Sequence, residues 1–204
     1  MIEKLAYSLG RNDEEPNIEL AKLLVKTKNK KGIKDIVDGL KNPKAQIAND
    51  CIKVLYEIAE TAPELVSEYA DNFIQLLKSK NCRLVWGSMT ALIKIVSLNP
   101  EQVFKNLDII IKAYEKGKVI TVDNSISVFA ELVKADKKYE KKVFPIIINH
   151  LEKCRPKEVA QHAERAYVCI NKHNSQKYTE VLLKRRESLT DAQKKRIDKL
   201  LKKL

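Results

Sequence analysis

Apolar residues recur along the chain in a pattern that repeats every 37 residues. The segment 35–62 aligns without a gap with 72–99, and the same offset leads on to 109–136 and 146–173. Matching columns of apolar side chains run through the four segments: Leu55, Leu92, Phe129 and Ala166; Ile52, Met89, Ile126 and Ala163; and Ile58, Ile95, Leu132 and Cys169. A fixed period of this length indicates stacked copies of one supersecondary unit.

Each copy predicts a pair of helices, a short one followed by a longer one. In the first copy the short helix covers 33–40 and the longer one runs from Ala48 to Ala59, with apolar residues three or four positions apart. We expect Asn99 and Gln102 to form a capping box, and Gly117 to end a helix in the left-handed conformation. A hairpin of this size cannot bury its apolar stripe alone, so the copies are predicted to stack.

The second helix of each copy carries a resemblance to a known family. The run from Leu84 to Leu92 has an aliphatic residue, two small residues and then Ala-Leu, and looser versions occur in 47–55 and 121–129. This pattern resembles the HEAT/armadillo family of α-solenoids. The resemblance covers residues 32–175 and implies an all-α fold, a right-handed α-solenoid of four stacked helical hairpins.

The two ends of the chain predict capping helices, which make residues 1–204 a single solenoid domain. Residues 1–30 predict a helical pair, Ile2–Leu9 and Pro16–Lys28, and 176–204 predict a second pair, the last helix starting in a capping box at Thr190. That last helix places apolar residues under a basic face: Ile197, Leu200, Leu201 and Leu204. The stripe either covers the end of the solenoid or docks on an anionic membrane or a partner's groove.

The composition favours a helical chain with a basic surface. Five Gly and six Pro in 204 residues are too few for a β-sandwich or a Gly-looped nucleotide fold. The 39 Lys and Arg against 27 Asp and Glu give a net charge of +12, concentrated toward 184–204. Such a charge attracts anionic partners, although a solvated lysine-rich surface has the same composition.

The sequence predicts a cytoplasmic protein without a cofactor or a bound metal. No apolar run is long enough for a membrane span, which excludes stable membrane insertion, and the N-terminus lacks a signal-peptide layout. Four cysteines form no CxxC pair and no metal-ligand spacing with the three histidines: Cys51, Cys82, Cys154 and Cys169. His162 falls in a column of small inward residues, so we expect a hydrogen-bonded core histidine.

Candidate partner-binding residues lie on the second helices, which the resemblance implies line the concave face. They fall in three columns, namely Asn49, Trp86 and Asp123, then Lys53, Thr90 and Ser127, and finally Lys94. Trp86 stands beside Gly87, where an exposed indole offers a flat binding anchor. The alternative is that Trp86 packs as partial core.

A second set of candidates is cationic and lies near the turns between paired helices. It comprises Lys80, Arg83, Lys118, Arg155 and Lys157. Stacked copies would align these residues along one rim, able to follow a nucleic-acid backbone or to hold an acidic peptide. Lysines that complement helix dipoles at C-termini are the plain alternative.

No motif for catalysis is visible: the chain has no Gly-rich phosphate loop, no Ser/His/Asp set and no HExxH run. The first hypothesis is therefore a non-enzymatic scaffold that binds a protein or acidic peptide through the concave face and the basic rim. The alternative is a nucleic-acid-binding protein. In size, charge and helical build the chain is similar to DNA glycosylases with HEAT-like repeats, for which Trp86 and Asp123 are the nearest candidates.

Overall fold

Twelve α-helices, joined by turns and five 3-10 segments, make up the computed structural model, which describes all residues 1–204 and contains no strand. The helices are α1 (Glu15–Thr27), α2 (Lys30–Gly39), α3 (Ala45–Thr61), α4 (Ala70–Leu76), α5 (Cys82–Ile95), α6 (Pro100–Lys105), α7 (Leu107–Lys116), α8 (Val119–Ala135), α9 (Glu140–Lys153), α10 (Pro156–Ala166), α11 (Ser175–Arg186) and α12 (Asp191–Leu201). The 3-10 segments are Ile2–Lys4, Pro63–Leu65, Ser67–Tyr69, Lys137–Tyr139 and Tyr167–Cys169. The predicted all-α class is confirmed. None of the helices combines the length and the apolar character that crossing a membrane requires.

The helices follow one another in the predicted pairs. The first members are α2, α4, α7 and α9, and the second members are α3, α5, α8 and α10. The second members begin at Ala45, Cys82, Val119 and Pro156, each 37 residues after the one before. The period seen in the apolar residues is therefore also a period of helix starts.

The apolar columns of the second helices are buried. All twelve residues of the three columns are between 0 and 4 % exposed. Burial of each large aliphatic side chain contributes roughly 1.5–3 kcal/mol to folding. His162 is also buried, at 0 % exposure, and is hydrogen-bonded to His150, as expected for a core histidine.

The chain packs into two compact units, residues 1–124 and 125–204. In the first unit α3 packs against α1, α2 and α5, and α4 packs against α5 and α6. In the second unit α9 packs against α10 and α11, and α12 packs against α10 and α11. Helix α8 contributes its first residues to one unit and the rest to the other. A single solenoid domain over residues 1–204 stays a prediction.

The N-terminal residues form a helix over a shorter stretch than the sequence predicts. Instead of a helix over Ile2–Leu9, only a 3-10 segment, Ile2–Lys4, is present. The following backbone is held by side chains, because Ala6 N–H donates to Asn17 Oδ1 at 3.0 Å and Tyr7 N–H donates to Asp50 Oδ2 at 2.8 Å. Satisfying these donors from α1 and α3 removes the need for helical hydrogen bonds there.

Two local expectations about helix ends are wrong. Asn99 precedes α6, but its side chain makes no capping bond and instead donates to the Ser67 carbonyl at 2.8 Å. Gln102 pairs with Asp71 rather than with the start of its own helix. Gly117 has φ −71° and ψ 151°, an extended conformation, since the chain passes directly from α7 into α8. In each case a tertiary contact or a short connection replaces the local motif.

The last helix behaves as a cap of the second unit. Thr190 and Gln193 form the predicted capping box at the start of α12. Ile197 and Leu200 are 0 % and 5 % exposed, and α12 packs against α10 and α11. Leu201 is partly buried and Leu204 is 48 % exposed, so the first half of the stripe is used inside the unit, which favours the capping interpretation for that half.

Truncation of Leu92 tests the assignment of the apolar columns. Leu92 is 0 % exposed, so Leu92→Ala should lower the free energy of unfolding by ~2–5 kcal/mol, through lost burial and a residual cavity. The exposed Lys80 is the control, and Lys80→Ala should change stability by less than about 0.5 kcal/mol. Urea denaturation followed by circular dichroism measures both, and equal small effects would contradict the column assignment.

Candidate functional site

A groove of about 790 Å³ opens in the first unit, where α4 turns into α5 and α7 turns into α8. Its walls are formed by Leu77, Lys78, Ser79, Cys82, Val85, Trp86, Ile109, Lys112, Ala113, Lys116, Gly117, Lys118, Val119, Ile120 and Thr121. Both connections are short, since α4 ends at Leu76 before α5 begins at Cys82, and only Gly117 and Lys118 separate α7 from α8. The groove therefore lies along the turn side of two successive helix pairs.

Two exposed apolar side chains stand side by side in this groove. Val119 and Ile120, at the start of α8, are 53 % and 52 % exposed. The partly buried Val85 and Ile109 also line the groove. Seven other large apolar side chains of the protein are more than 40 % exposed, but these two are adjacent and lie in a groove wall, which favours an interaction site.

The rim of the groove is cationic. Lys78, Lys112, Lys116 and Lys118 are exposed, and no aspartate or glutamate is among the lining residues. Lys112 and Lys116 are four residues apart on α7, a spacing at which like charges destabilise a helix by about 0.2–0.5 kcal/mol. Lys116 also lies in the last turn of α7, where a cation complements the helix dipole.

Trp86 stands in the wall of this groove and is partly buried. Its ring centroid lies 5.6 Å from that of Tyr56 on α3, with the two planes tilted by 45°. The guanidinium of Arg83 lies 5.7 Å from the centre of the indole. Trp86 is thus held in one orientation by an aromatic and a cationic neighbour while part of its surface still faces the groove.

A network of ion pairs supports the aromatic pair. Lys53 Nζ lies 3.0 Å from Glu14 Oε2 and 2.7 Å from Glu57 Oε1, and Glu14 also pairs with Arg83. Burial alone would lower the pKa of Lys53, but its bonds with Glu57 and Tyr56 outweigh burial and raise the pKa above its usual range. Burial is also the main reason that the pKa of Tyr56 is raised. Lys53 therefore stays charged and fixed.

The position of Lys53 differs from the one expected. An outward position on the concave face was predicted, but Lys53 is only 7 % exposed. Its ammonium lies 4.8 Å from the centre of the Tyr56 ring, in addition to its two carboxylate partners. Tyr56 and Glu57 on α3, together with Glu14 just before α1, enclose the ammonium group. Lys53 therefore supports the aromatic pair and offers no free cation to a ligand.

The other candidates of the first unit include residues that link neighbouring helix pairs. Asn49 accepts a hydrogen bond from Asn81 Nδ2 at 2.8 Å, and Lys94 pairs with Glu60 at 2.8 Å. Thr90 accepts a hydrogen bond from Asn124 Nδ2 at 2.7 Å. Four further candidates complete this unit: Lys80 and Lys118, which are exposed, and Asp123 and Arg83, which are partly buried. Of these, Lys118 lines the groove beside Trp86.

Three candidates belong to the second unit. Ser127 accepts a hydrogen bond from Arg165 Nη1 at 2.8 Å. Arg155 donates through Nε to Glu158 at 3.0 Å, and Lys157 is exposed at the start of α10. Ser127 and Arg155 are thus engaged by partners within the protein, and Lys157 is exposed. None of the three lines the groove beside Trp86.

Gly87 has a different role from the one expected. It was interpreted as an open platform beside Trp86, but Gly87 is buried, and a Cβ at this position would lie 2.7 Å from Ile52 Cγ1. Its missing side chain allows α5 to approach α3 closely. That approach brings Trp86 against Tyr56, so Gly87 acts on the site through helix packing.

Several residues of the groove, and Tyr56 behind its wall, were not predicted from the sequence. Tyr56 lies outside the candidate columns of the concave face and packs on Trp86, and Lys112 lies within a first helix. Val119 and Ile120 carried a signal, because two adjacent apolar residues between Lys118 and Thr121 belong to none of the buried columns. Their exposure depends on how the two turns lie beside each other, which the repeat pattern does not specify.

Solved structures similar to this chain include engineered proteins and designed armadillo repeat proteins. One engineered protein is 17 % identical to this chain, with a TM-score of 0.64, and the match covers 98 % of this chain and 95 % of the engineered one. A designed armadillo repeat protein in complex with the peptide (KR)4 is 15 % identical over 98 % and 90 %, with a TM-score of 0.66. The chain has a HEAT/armadillo-type repeat fold. At such identities the likeness concerns the fold alone.

The karyopherin Kap121p bound to Pho4p has the same fold over a much longer chain. The two chains are 18 % identical, with a TM-score of 0.65. The match covers 88 % of this chain but only 19 % of the Kap121p chain. No protein-family model matches the sequence, and neither does any curated protein. The HEAT/armadillo-type fold is thus established by structure, and the site must be argued from its own residues.

The carboxylates near the aromatic pair do not form a catalytic arrangement. Glu14 pairs with Lys53 and Arg83, and Glu57 pairs with Lys53. Both carboxylates are thus engaged by cations of the chain itself. The glycosylase alternative expected Asp123 beside Trp86, but Asp123 is not among the groove residues.

Gly87→Ala tests the close approach of α5 to α3. Alanine in an exposed helix would stabilise by about 1 kcal/mol relative to glycine. Here the added methyl group meets Ile52, so we expect destabilisation of ~1–3 kcal/mol and a shift in the Trp86 emission spectrum. Chemical denaturation and fluorescence measure the two effects. An increase in stability with an unchanged spectrum would show that the helices are not in close contact there.

The four cysteines give a second test of the groove. Cys82 is exposed in the groove wall, whereas burial raises the pKa of Cys51 and Cys169 to about 12 and that of Cys154 to about 11. Because the thiolate is the reactive form, we expect one fast-reacting thiol per native chain with a thiol reagent. Cys82→Ser should remove the fast phase. Its persistence in that variant would mean that another cysteine is accessible.

Proposed function

We propose that this protein is a non-enzymatic repeat scaffold that binds an acidic, partly apolar segment of a protein partner. The binding surface is the groove beside Trp86, extended by the concave-face residues of α3 and α5. The observation that carries the proposal is the combination of exposed apolar side chains with four exposed lysines and no carboxylate in the groove lining. A ligand that fits both features has carboxylates next to large apolar side chains.

The size of the groove suits side chains of a peptide. Its volume of about 790 Å³ falls in the range of roughly 300–1,000 Å³ that holds a drug-sized ligand, or a few large side chains. An amphipathic helix presents such side chains at positions i, i+4 and i+7. Val119, Ile120 and the exposed part of Trp86 would contact them, while Lys112, Lys116 and Lys118 would face flanking carboxylates.

The structural neighbours support peptide binding by this fold and make the charge of the ligand informative. The designed armadillo protein binds (KR)4, a wholly basic peptide, and Kap121p binds Pho4p and the SUMO protease Ulp1p. This chain carries a net charge of +12, and its groove is lined by cations. By electrostatic complementarity, its ligand is acidic rather than basic.

The remaining candidate residues contribute around this centre. Lys80 extends the cationic edge at the start of α5, where Arg83 orients Trp86 through its contact with the indole and its ion pair with Glu14. Asn49, Thr90 and Asp123 lie on the second helices. Nucleic acid fits the groove less well, because Val119 and Ile120 offer no partner to phosphates and the contacts that hold a backbone are mostly polar.

Charge reversal in the groove is the test. The probe is a fluorescein-labelled amphipathic peptide with leucine at every third or fourth position and glutamate elsewhere, titrated at physiological salt. We expect Lys112→Glu combined with Lys116→Glu to raise Kd at least about tenfold, since two attractive contacts become repulsive. Fluorescence anisotropy measures the binding, and circular dichroism verifies the fold of each variant.

The matched control is Lys22→Glu combined with Lys26→Glu. These lysines are also exposed and four residues apart on a helix, α1, so the change of net charge is the same. An equal loss of affinity in the control would reduce the binding to a general attraction of charges and overturn the proposal. A peptide in which serine replaces every leucine should bind more weakly than the probe, and equal affinity would also overturn the proposal. An oligonucleotide that bound more tightly than the probe would do the same.

A further inference from the structure

Two histidines and a cysteine lie together in the second unit, at the turn between α9 and α10. They are His150 on α9, Cys154 just after it and His162 on α10. One potential ligand atom from each residue lies within 4.8 Å of the others. His150 and Cys154 share a face because they are four residues apart at the end of a helix, and the short turn brings α10 back beside it.

The two imidazoles are already in contact. His150 Nε2 and His162 Nδ1 are 2.7 Å apart, with ring centroids 4.7 Å apart. His150 is 6 % exposed and His162 is 0 % exposed, whereas Cys154 is only partly buried. The group is thus largely shielded from water and is reached from the side of the cysteine.

We propose that His150, Cys154 and His162 form a zinc site, with water as the fourth ligand. Imidazole and thiolate are the donors that Zn²⁺ prefers, and sites with three protein ligands leave one position for water. The ligand atoms would be His150 Nε2, His162 Nδ1 and Cys154 Sγ.

The geometry requires a small adjustment. With Zn–N distances of about 2.0–2.1 Å, two nitrogens of a tetrahedral site are about 3.4 Å apart. The observed 2.7 Å therefore has to widen by about 0.7 Å, through rotation of the two rings. The hydrogen between the two nitrogens moves to another ring nitrogen, and the thiol proton is released to solvent, so both imidazoles bind in their neutral form.

Arg185 fixes the turn that carries Cys154. Its guanidinium donates to the carbonyls of Leu151 at 2.9 Å and Cys154 at 2.6 Å, which holds the end of α9 in place. Glu158, paired with Arg155, supplies a carboxylate beside the site.

The spacing explains why the sequence alone does not reveal this site. The ligands are separated by three residues and then by seven, which matches no zinc motif with paired cysteines. From the sequence we expected no bound metal and a core position for His162. The burial of His162 is confirmed, and the zinc site adds a role to the same buried position.

Cobalt spectroscopy tests the proposal on residues 1–204 without an affinity tag. Added Co²⁺ should saturate at one ion per chain and give a thiolate-to-cobalt charge-transfer band together with the intense visible bands of a four-coordinate ion. Zn²⁺ should displace the cobalt and abolish both. Cys154→Ser should remove the charge-transfer band and weaken zinc binding at least about tenfold, which is the loss that even outer-shell changes cause.

Cys82→Ser is the matched control, since Cys82 is the exposed cysteine of the other unit. This variant should bind Co²⁺ like the parent chain. His162→Gln, with its fold verified by circular dichroism, should lose the four-coordinate spectrum while keeping Cys154. Absence of both bands in the parent chain, or their persistence in Cys154→Ser, overturns the proposal.

Discussion

The close packing of α5 on α3 is the contact on which the first unit depends. Ile52 and Leu92 are fully buried, and Gly87 lets the two helices approach to the point where even a methyl group would collide with Ile52. Since interiors of proteins are packed at crystal-like density, such a contact admits few alternatives. It fixes the distance between successive helix pairs, the pairing of Tyr56 with Trp86 and the enclosure of Lys53 by its carboxylates.

The groove follows from the same packing. Once the second helices are in contact along their apolar columns, the turns of successive pairs come to lie beside each other. Val119 and Ile120 at the start of α8 then remain exposed, because the helix columns are already filled. Lysines at the ends of α4 and α7 are placed around them, so a surface that is both apolar and cationic results from the repeat itself.

The sequence predicted the repeat accurately, because hydrophobic periodicity depends on helix geometry alone. The buried columns, the starts of the second helices and the Thr190 cap all follow from local rules. Asn99, Gly117 and Lys53 were misjudged because a contact with another helix pair or a short connection decides their environment. The same limit explains why the contact of Tyr56 with Trp86 and the proposed zinc site were not predicted from the sequence. Each brings together residues from two different helices.

The most direct measurement is quenching of Trp86 fluorescence by acrylamide, a neutral quencher, with and without an acidic amphipathic peptide that lacks tryptophan. Trp86 is the single tryptophan of the chain, so the signal reports on the groove alone. If the peptide occupies the groove, the quenching constant falls as the peptide saturates the protein. Binding detected by anisotropy with an unchanged quenching constant would place the ligand elsewhere and contradict the account.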